Sequence, residues 1–342
     1  MKLRLLGWAA VAALTLGGPA AWADGELHIY NWGDYTNPKL IEKFEQKYNV
    51  KVTLDDYDSN ETMLAKVRAG SSGYDIVVPS DYTVKIMVDE GLLAKTEPNK
   101  MENFKNVDPR WVDVYWDPGR NYTVPWQWGT SSFAVDTAVY GGDIDTLGVL
   151  FNPPPELQGK INMQPDLNMV INMALRYLGK SRCNSNPEDL KAVNDLLTQA
   201  KPHWRTIEYS MDSMTAGDSA ASAGWNGAAM RVREQRPTAK YAYPKEGFDG
   251  WMDNVSVLTG APNLENAKLF QNFIMDPENA ALISDYAKYA NGIAGSDKFM
   301  PKEFATAPEI LMPASAPAPE FVPPCSKEVN DMYNKIWTNL LK

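Results

Sequence analysis

Two short stretches pair a tryptophan with an acid two residues on: Trp32-Gly33-Asp34 in HIYNWGDY and Trp251-Met252-Asp253 in GWMDN. A carboxylate beside an aromatic face is a poor site for an anion and a good site for an organic cation. Each cation–π contact is worth about 0.5–2 kcal/mol when desolvated. Each charge-assisted hydrogen bond adds about 1.5–3 kcal/mol. Two acids at opposite ends of an aromatic slot would measure the distance between two ammonium groups, with the methylenes between them lying on the rings. In a strand, residues i and i+2 face the same way, so Trp251 and Asp253 share a face. A third cluster, GWNGAAM, places Trp225 near the end of another strand. Core packing is the competing role for any one of the 11 tryptophans, and an exposed turn or helix cap is the competing role for Asp34. The repeated pairing of tryptophan with acid is what departs from those roles.

The elements that must position these residues alternate early in the chain. Strands are expected at 26–30, 50–57 and 74–80, and helices over 37–48, from Glu61 to Gly70, and from Asp81 to Gly91. Leu40, Ile41, Phe44 and Tyr48 share one helical face. Asp58 and Glu61 read as a capping box, and Asp81 as a helix N-cap. This order predicts an α/β fold with a mostly parallel sheet covered by helices. In open sheets of this kind, ligands bind beyond the carboxyl ends of the strands. Asp34 and Tyr35 follow the first strand, and Ser80, Asp81 and Tyr82 follow the third, so both turns should open into one crevice. Residues 122–137 read as two extended segments, a natural crossing between lobes, and 151–160 as loop. Helices are expected over 168–179 and 187–202, then a strand, turn and helix over 220–235. An extended segment at 250–260 precedes two helices over 263–289, broken at Asp276-Pro277. A proline-rich irregular tail at 307–324 leads to a closing amphipathic helix at 327–342.

Composition excludes several functions. Residues 1–23 place Lys2 and Arg4 before a short apolar run that ends in Ala21-Trp22-Ala23, the pattern of a secretory signal peptide. Cleavage after Ala23 would leave 31 basic against 43 acidic residues, a net charge of −12. So acidic an exported chain is a poor partner for nucleic acid or anionic lipid and suits a cationic one. No cysteine for lipid attachment sits at the cleavage site, so a free, soluble chain is expected. In such a chain Cys183 and Cys325 suit one disulfide, with two free thiols the alternative. Two cysteines and two unclustered histidines (His28, His203) argue against zinc. There is no G-x-S-x-G elbow, no Gly-rich phosphate loop and no histidine beside a plausible nucleophile, which argues against an enzyme. Tyr286 and Tyr289 could serve as phenolate ligands in an iron carrier of the same plan, but no histidine or adjacent tyrosine pair completes a metal sphere.

Taken together, IYNWGDY, DSNETMLAKVRAGSSGYDIVVPSDY, ALRYLG, WNG, PKEGFDGWMDN and YANGIAG resemble the periplasmic spermidine/putrescine-binding proteins of ATP-driven (ABC) importers. The resemblance spans essentially all of the chain after residue 23. It implies a monomer with two α/β lobes, each a mostly parallel sheet flanked by helices, joined by crossover segments. A polyamine would lie in the cleft, and the partner would be an inner-membrane ABC permease. No cofactor or metal is implied. One lobe is expected to comprise 24–133 and 253–306, and the other 134–252 and 307–342. The family's site positions fall on Trp32, Asp34, Tyr35, Ser80, Tyr82, Trp225, Trp251 and Asp253. Its late tyrosine falls on Tyr289, with Tyr286 the competing assignment. Where some members carry an Asp and a Glu one turn apart, this chain has Asp166 and Met169. The missing acid weakens the case for a long triamine and leaves room for putrescine, or for an amine with one charged and one neutral end.

Overall fold

The computed structural model describes residues 25–70 and 72–342. The signal peptide expected at 1–23 lies outside them. Strand β1 (Gly25–Trp32) runs parallel to β2 (Val50–Tyr57) along its full length, from Gly25 opposite Val50 to Trp32 opposite Tyr57. Between them, α1 (Pro38–Tyr48) starts where the Asn37 side chain accepts from the Lys39 amide and Pro38 fixes the first turn. It ends at Asn49, whose φ of 52° is left-handed. Phe44 is fully buried and meets Phe270 and Phe273 edge-on at 5.1 and 5.3 Å. Such pairs contribute about 0.5–1.5 kcal/mol beyond burial.

Helix α2 (Asn60–Arg68) is capped by Ser59, whose hydroxyl oxygen accepts from the Thr62 amide. The expected cap, Asp58, lies one residue too early. Strand β3 (Ile76–Val77) is short and parallel to β1, and α3 (Asp81–Asp89) follows it. Here too the cap differs from expectation. Ser80 holds the N-cap position without a side-chain cap bond, and Asp81 is the first helical residue, buried.

Strand β4 (Thr123–Asp136) is one continuous 14-residue strand, where two segments were expected. The second half of the chain adds β5 (Ile161–Met163), α4 (Leu167–Tyr177), α5 (Pro187–Ala200), β6 (Trp204–Ile207), β7 (Ala221–Trp225), α6 (Asn226–Gln235) and β8 (Ala239–Tyr241). Then come β9 (Asp249–Val257), α7 (Leu264–Ile274), α8 (Pro277–Ala287) and α9 (Lys327–Leu340). A short helical turn at Gly148–Phe151 runs into the expected loop at 151–160, which contains a second at Pro155–Leu157.

The sheet order is β2-β1-β3-β9-β4-β7-β5-β6, with β8 on the far half of β4. Pairing is parallel at both ends (β2-β1-β3 and β7-β5-β6) and antiparallel around the two long strands. Residues 123–131 of β4 pair with β9, and 131–135 pair with β7. The two main cores divide on this strand. Trp126 belongs to a core with Leu27, Phe44, Ile76 and Phe270, whereas Phe133 belongs to one with Leu150, Ile161, Leu175 and Trp204. This is an α/β architecture of two lobes sharing their central strands.

Cys183 and Cys325 form a disulfide across 142 residues. It ties the tail to the loop before α5. Beyond it, α9 buries Val329, Tyr333, Ile336 and Leu340 in the second core.

Candidate functional site

The carboxyl ends of β1 and β3 meet the middle of β9. Ser80 forms an isolated antiparallel bridge with Asp253, and the Asn254 amide donates to the Pro79 carbonyl. Asp253 is thereby buried, 5% exposed, and both its oxygens are used. The Ser80 hydroxyl donates to Oδ1 at 2.7 Å and the Tyr35 hydroxyl to Oδ2 at 2.9 Å. An ionised carboxylate has about four acceptor positions, so two hydroxyls leave it able to take an ammonium as well. Burial, with the like charge of Asp81, pushes Asp253 up to about 7 despite those two donors.

Aromatic rings enclose this acid. Tyr35 meets Tyr289 at 6.0 Å and Tyr289 meets Trp251 at 5.0 Å, both edge-on. Trp251 and Asp253 thus share a face, as their spacing predicts. Two glycines, Gly129 on β4 and Gly227 of the W-N-G motif, create the room. A Cβ at Gly129 would fall 2.6 Å from the Trp251 ring, and one at Gly227 would fall 2.5 Å from the Tyr289 ring. Asn226 fixes the W-N-G turn by accepting from the Thr130 amide and donating to the Glu309 carbonyl. The segment after α8 is zipped to β4 where the Trp128 amide donates to Ala290. Of the two competing tyrosines, Tyr289 lies in this cluster and Tyr286 is 41% exposed.

The other expected residues are spread around that centre. Trp32 is half-buried, donates from Nε1 to the Val78 carbonyl and lies 4.6 Å from the Tyr57 ring. Trp225 is half-buried and packs both on Tyr209, at 5.2 Å, and on the core that contains Asp253's neighbours. Tyr82 accepts from Asn60, which also donates to Ser80. Asp34 follows β1 in a left-handed turn, φ 52°, and is exposed, outside the buried group. Asp166 caps α4 by accepting from the Met169 amide. It keeps contact with solvent, but crowding by protein, then the carboxylates of Glu61 and Asp249, holds it above the ordinary range. Met169 is buried, so no acid stands one turn along.

Asp81 does more than start a helix. Its Oδ2 lies 2.7 Å from the Tyr115 hydroxyl, 34 residues away. Burial raises it to about 6, opposed by that hydrogen bond and by Arg182. Sequence reasoning passed over Tyr57, Asn60, Glu61, Tyr209 and Arg231. Tyr57 and Tyr209 stand at or just after the ends of parallel strands, so the strand-end rule that selected Asp34 and Ser80 would have found both. Glu61 was absorbed by its helix-start reading, although its carboxylate faces the Tyr82 hydroxyl at 3.4 Å.

Among the described residues, no group of three or more His, Cys, Asp or Glu is arranged to hold a metal. No helix among them is long and apolar enough to cross a membrane.

Residues 39–314 match the family model described as bacterial extracellular solute-binding protein. The chain is 32% identical over 302 residues to the spermidine/putrescine-binding periplasmic protein of Escherichia coli (strain K12), covering 86% of each. It is 32% identical over 323 residues to the putrescine-binding periplasmic protein SpuD of Pseudomonas aeruginosa (strain UCBPP-PA14), covering 87% of this chain and 88% of the relative. Its fold matches that of the spermidine/putrescine ABC transporter substrate-binding protein PotD from Streptococcus pneumoniae with a TM-score of 0.81 and 25% identity, over 93% and 99% of the two chains. With a parallel-ended sheet, a family model matched over most of its length and relatives covered to a similar extent, the chain belongs to the bacterial extracellular solute-binding proteins.

Proposed function

We propose that this protein captures a di- or polyamine of the putrescine or spermidine type in the periplasm and delivers it to an ABC permease. It acts by binding and catalyses nothing. The observation that carries the reading is Asp253, a buried carboxylate whose hydrogen-bond donors are both neutral hydroxyls. A low-dielectric site with an uncompensated acid favours a cation strongly. One ammonium sits on Asp253 among Tyr35, Tyr289 and Trp251, and the methylenes run past Tyr82 to a second ammonium at Asp166 and Glu61. Trp32, Trp225 and Tyr82 form the walls, and Ser80 orients the anchor. Asp34 acts at the rim. The protein works as a monomer of two lobes, 24–133 with 253–306 and 134–252 with 307–342. An amine that touches both lobes shifts the population toward the closed form.

Calorimetry of the mature protein against putrescine, cadaverine, spermidine, spermine, agmatine and a neutral amino acid tests this. At least one amine should bind with micromolar affinity or better, about 8 kcal/mol, and the amino acid should not bind. Absence of heat with every amine removes the proposal.

The raised Asp253 adds a pH signature. The amines are cationic throughout, but they need the carboxylate ionised. Below pH 7 that carboxylate must first release its proton. The dissociation constant should therefore rise roughly tenfold from pH 8 to pH 6, with nearly one proton released per amine at pH 6. Comparing heats in buffers of different ionisation enthalpy counts that proton. An affinity flat across this range would mean that Asp253 does not carry the ammonium.

A further inference from the structure

Beyond Tyr289, the aromatic wall ends on a fixed positive charge. Arg231, on α6, places its guanidinium 5.9 Å from the centre of the Tyr289 ring and beside the phenol of Tyr209. Its Nη1 donates to the Ala287 carbonyl at 2.5 Å. Ala287 is the last residue of α8, where the helix dipole is negative and favours a cation. The hydrogen bond also crosses between bodies. Ala287 and Tyr289 belong to the first core, whereas Ala228, Ala229 and Val232 of α6 belong to a separate cluster. Nearby, Lys288 bonds to Asp285 at 2.9 Å and approaches Glu234 at 3.9 Å. The guanidinium itself is held by the Ala287 carbonyl, the Tyr289 ring and the Tyr209 phenol.

The wall is polarised as a result. At one end Asp253 is buried, and Glu61 and Asp166 stand on that side of the cleft. At the other end, past Tyr35 and Tyr289, stands Arg231. We propose that Arg231 sets the length of amine the cleft accepts. A diamine anchored on Asp253 runs toward the acids and leaves Arg231 untouched. With Asp166 and Glu61 both engaged by the second ammonium, and buried Met169 offering no acid one turn from Asp166, a third ammonium finds no free acid on that side. It must lie along the rings toward the guanidinium, where like charges repel in a poorly solvated setting. This inference rests on the amine-binding reading and adds a size limit to it.

The test compares putrescine and spermidine on the wild type, on Arg231→Gln and on Arg231→Lys by calorimetry, with a thermal scan of each to confirm folding. The readout is the ratio of the spermidine to the putrescine dissociation constant. In Arg231→Gln that ratio should fall at least tenfold, whatever happens to either constant alone, and in Arg231→Lys it should stay within threefold of wild type. A second measurement needs no variant. Spermidine acetylated on one terminal amine, and so one charge shorter, should bind wild type at least as tightly as spermidine does. Parallel weakening of both amines in Arg231→Gln would make Arg231 a closure contact only and overturn the inference, as would an unchanged ratio or a wild-type preference for spermidine. No binding of any amine to wild type would instead remove the functional reading, and this inference with it.

Discussion

Asp253→Asn is expected to weaken amine binding at least 100-fold at pH 8 while leaving the protein folded. The substitution keeps shape and one acceptor but removes the charge. A charge-assisted hydrogen bond is worth about 1.5–3 kcal/mol. Leaving an ammonium buried against a neutral amide adds a desolvation cost. A 100-fold loss corresponds to about 2.7 kcal/mol, within what those two effects supply. The effect on folding runs the other way. Asp253 and Asp81 titrate in the folded protein at about 7 and about 6, above the ordinary carboxylate range. The native state therefore holds more protons than the unfolded chain between roughly pH 4 and 7, and the ligand-free protein loses stability as pH rises through that window. Removing the Asp253 charge relieves part of this, so the ligand-free melting temperature of Asp253→Asn at pH 8 should equal or exceed that of wild type. A dissociation constant within threefold of wild type would exclude Asp253 as the anchor.

Loss of the disulfide should act on folding stability instead. Cys183 and Cys325 are 142 residues apart, and closing a loop of that length removes up to about 5 kcal/mol of unfolded-chain entropy. Engineered removals commonly cost less than this ceiling, so Cys183→Ser with Cys325→Ser is expected to lower stability by about 3–5 kcal/mol. The bridge is reinforced where the Asn184 amide donates to the Tyr333 hydroxyl at 3.1 Å, on the helix that fills the second core. The loss should therefore appear as a lower urea midpoint for the whole second core. An unchanged midpoint would mean that packing by Val329, Tyr333, Ile336 and Leu340 holds the tail unaided. Such a bridge persists in an oxidising compartment.

The parts of this molecule legible in the sequence are those governed by local spacing. The 3.6-residue repeat found α1, and Trp251 with Asp253 at i and i+2 did share a face. Strand ends located Tyr35 and Ser80, which both reach Asp253 from far away in the chain. What failed were choices between adjacent residues of equal local merit. Ser59 and Asp58 are both good caps, as are Ser80 and Asp81, and only the tertiary position of the strand before each helix decides between them. Asp81 was illegible for a further reason, because its partner Tyr115 is brought by an irregular segment without periodicity. The expected division of 122–137 into two segments is absent, and both Pro125 and Gly129 lie within the one strand. In the structure Pro125 stands beside a bulge, where a missing amide is tolerated. Gly129 is bare because the Trp251 ring lies across it.

That bulge bears on how an amine could be taken up. Between Asp253 and Asn254 the partner on β4 jumps from Gln127 to Pro125, so Trp126 is the extra residue. Behind it, Arg120 and the Trp116 ring nitrogen both donate to the Asn254 side chain, at 2.6 and 3.2 Å. β4 feeds both cores, and its first half is paired with β9 at the centre of the sheet. Asp253 lies on this central pair and is fastened there by its bridge to Ser80 and by the bond from the Asn254 amide to the Pro79 carbonyl. On the proposed reading the anchor for the first ammonium is thus a stationary one, and the pull that would draw the walls inward has to come from the rings and hydroxyls around it.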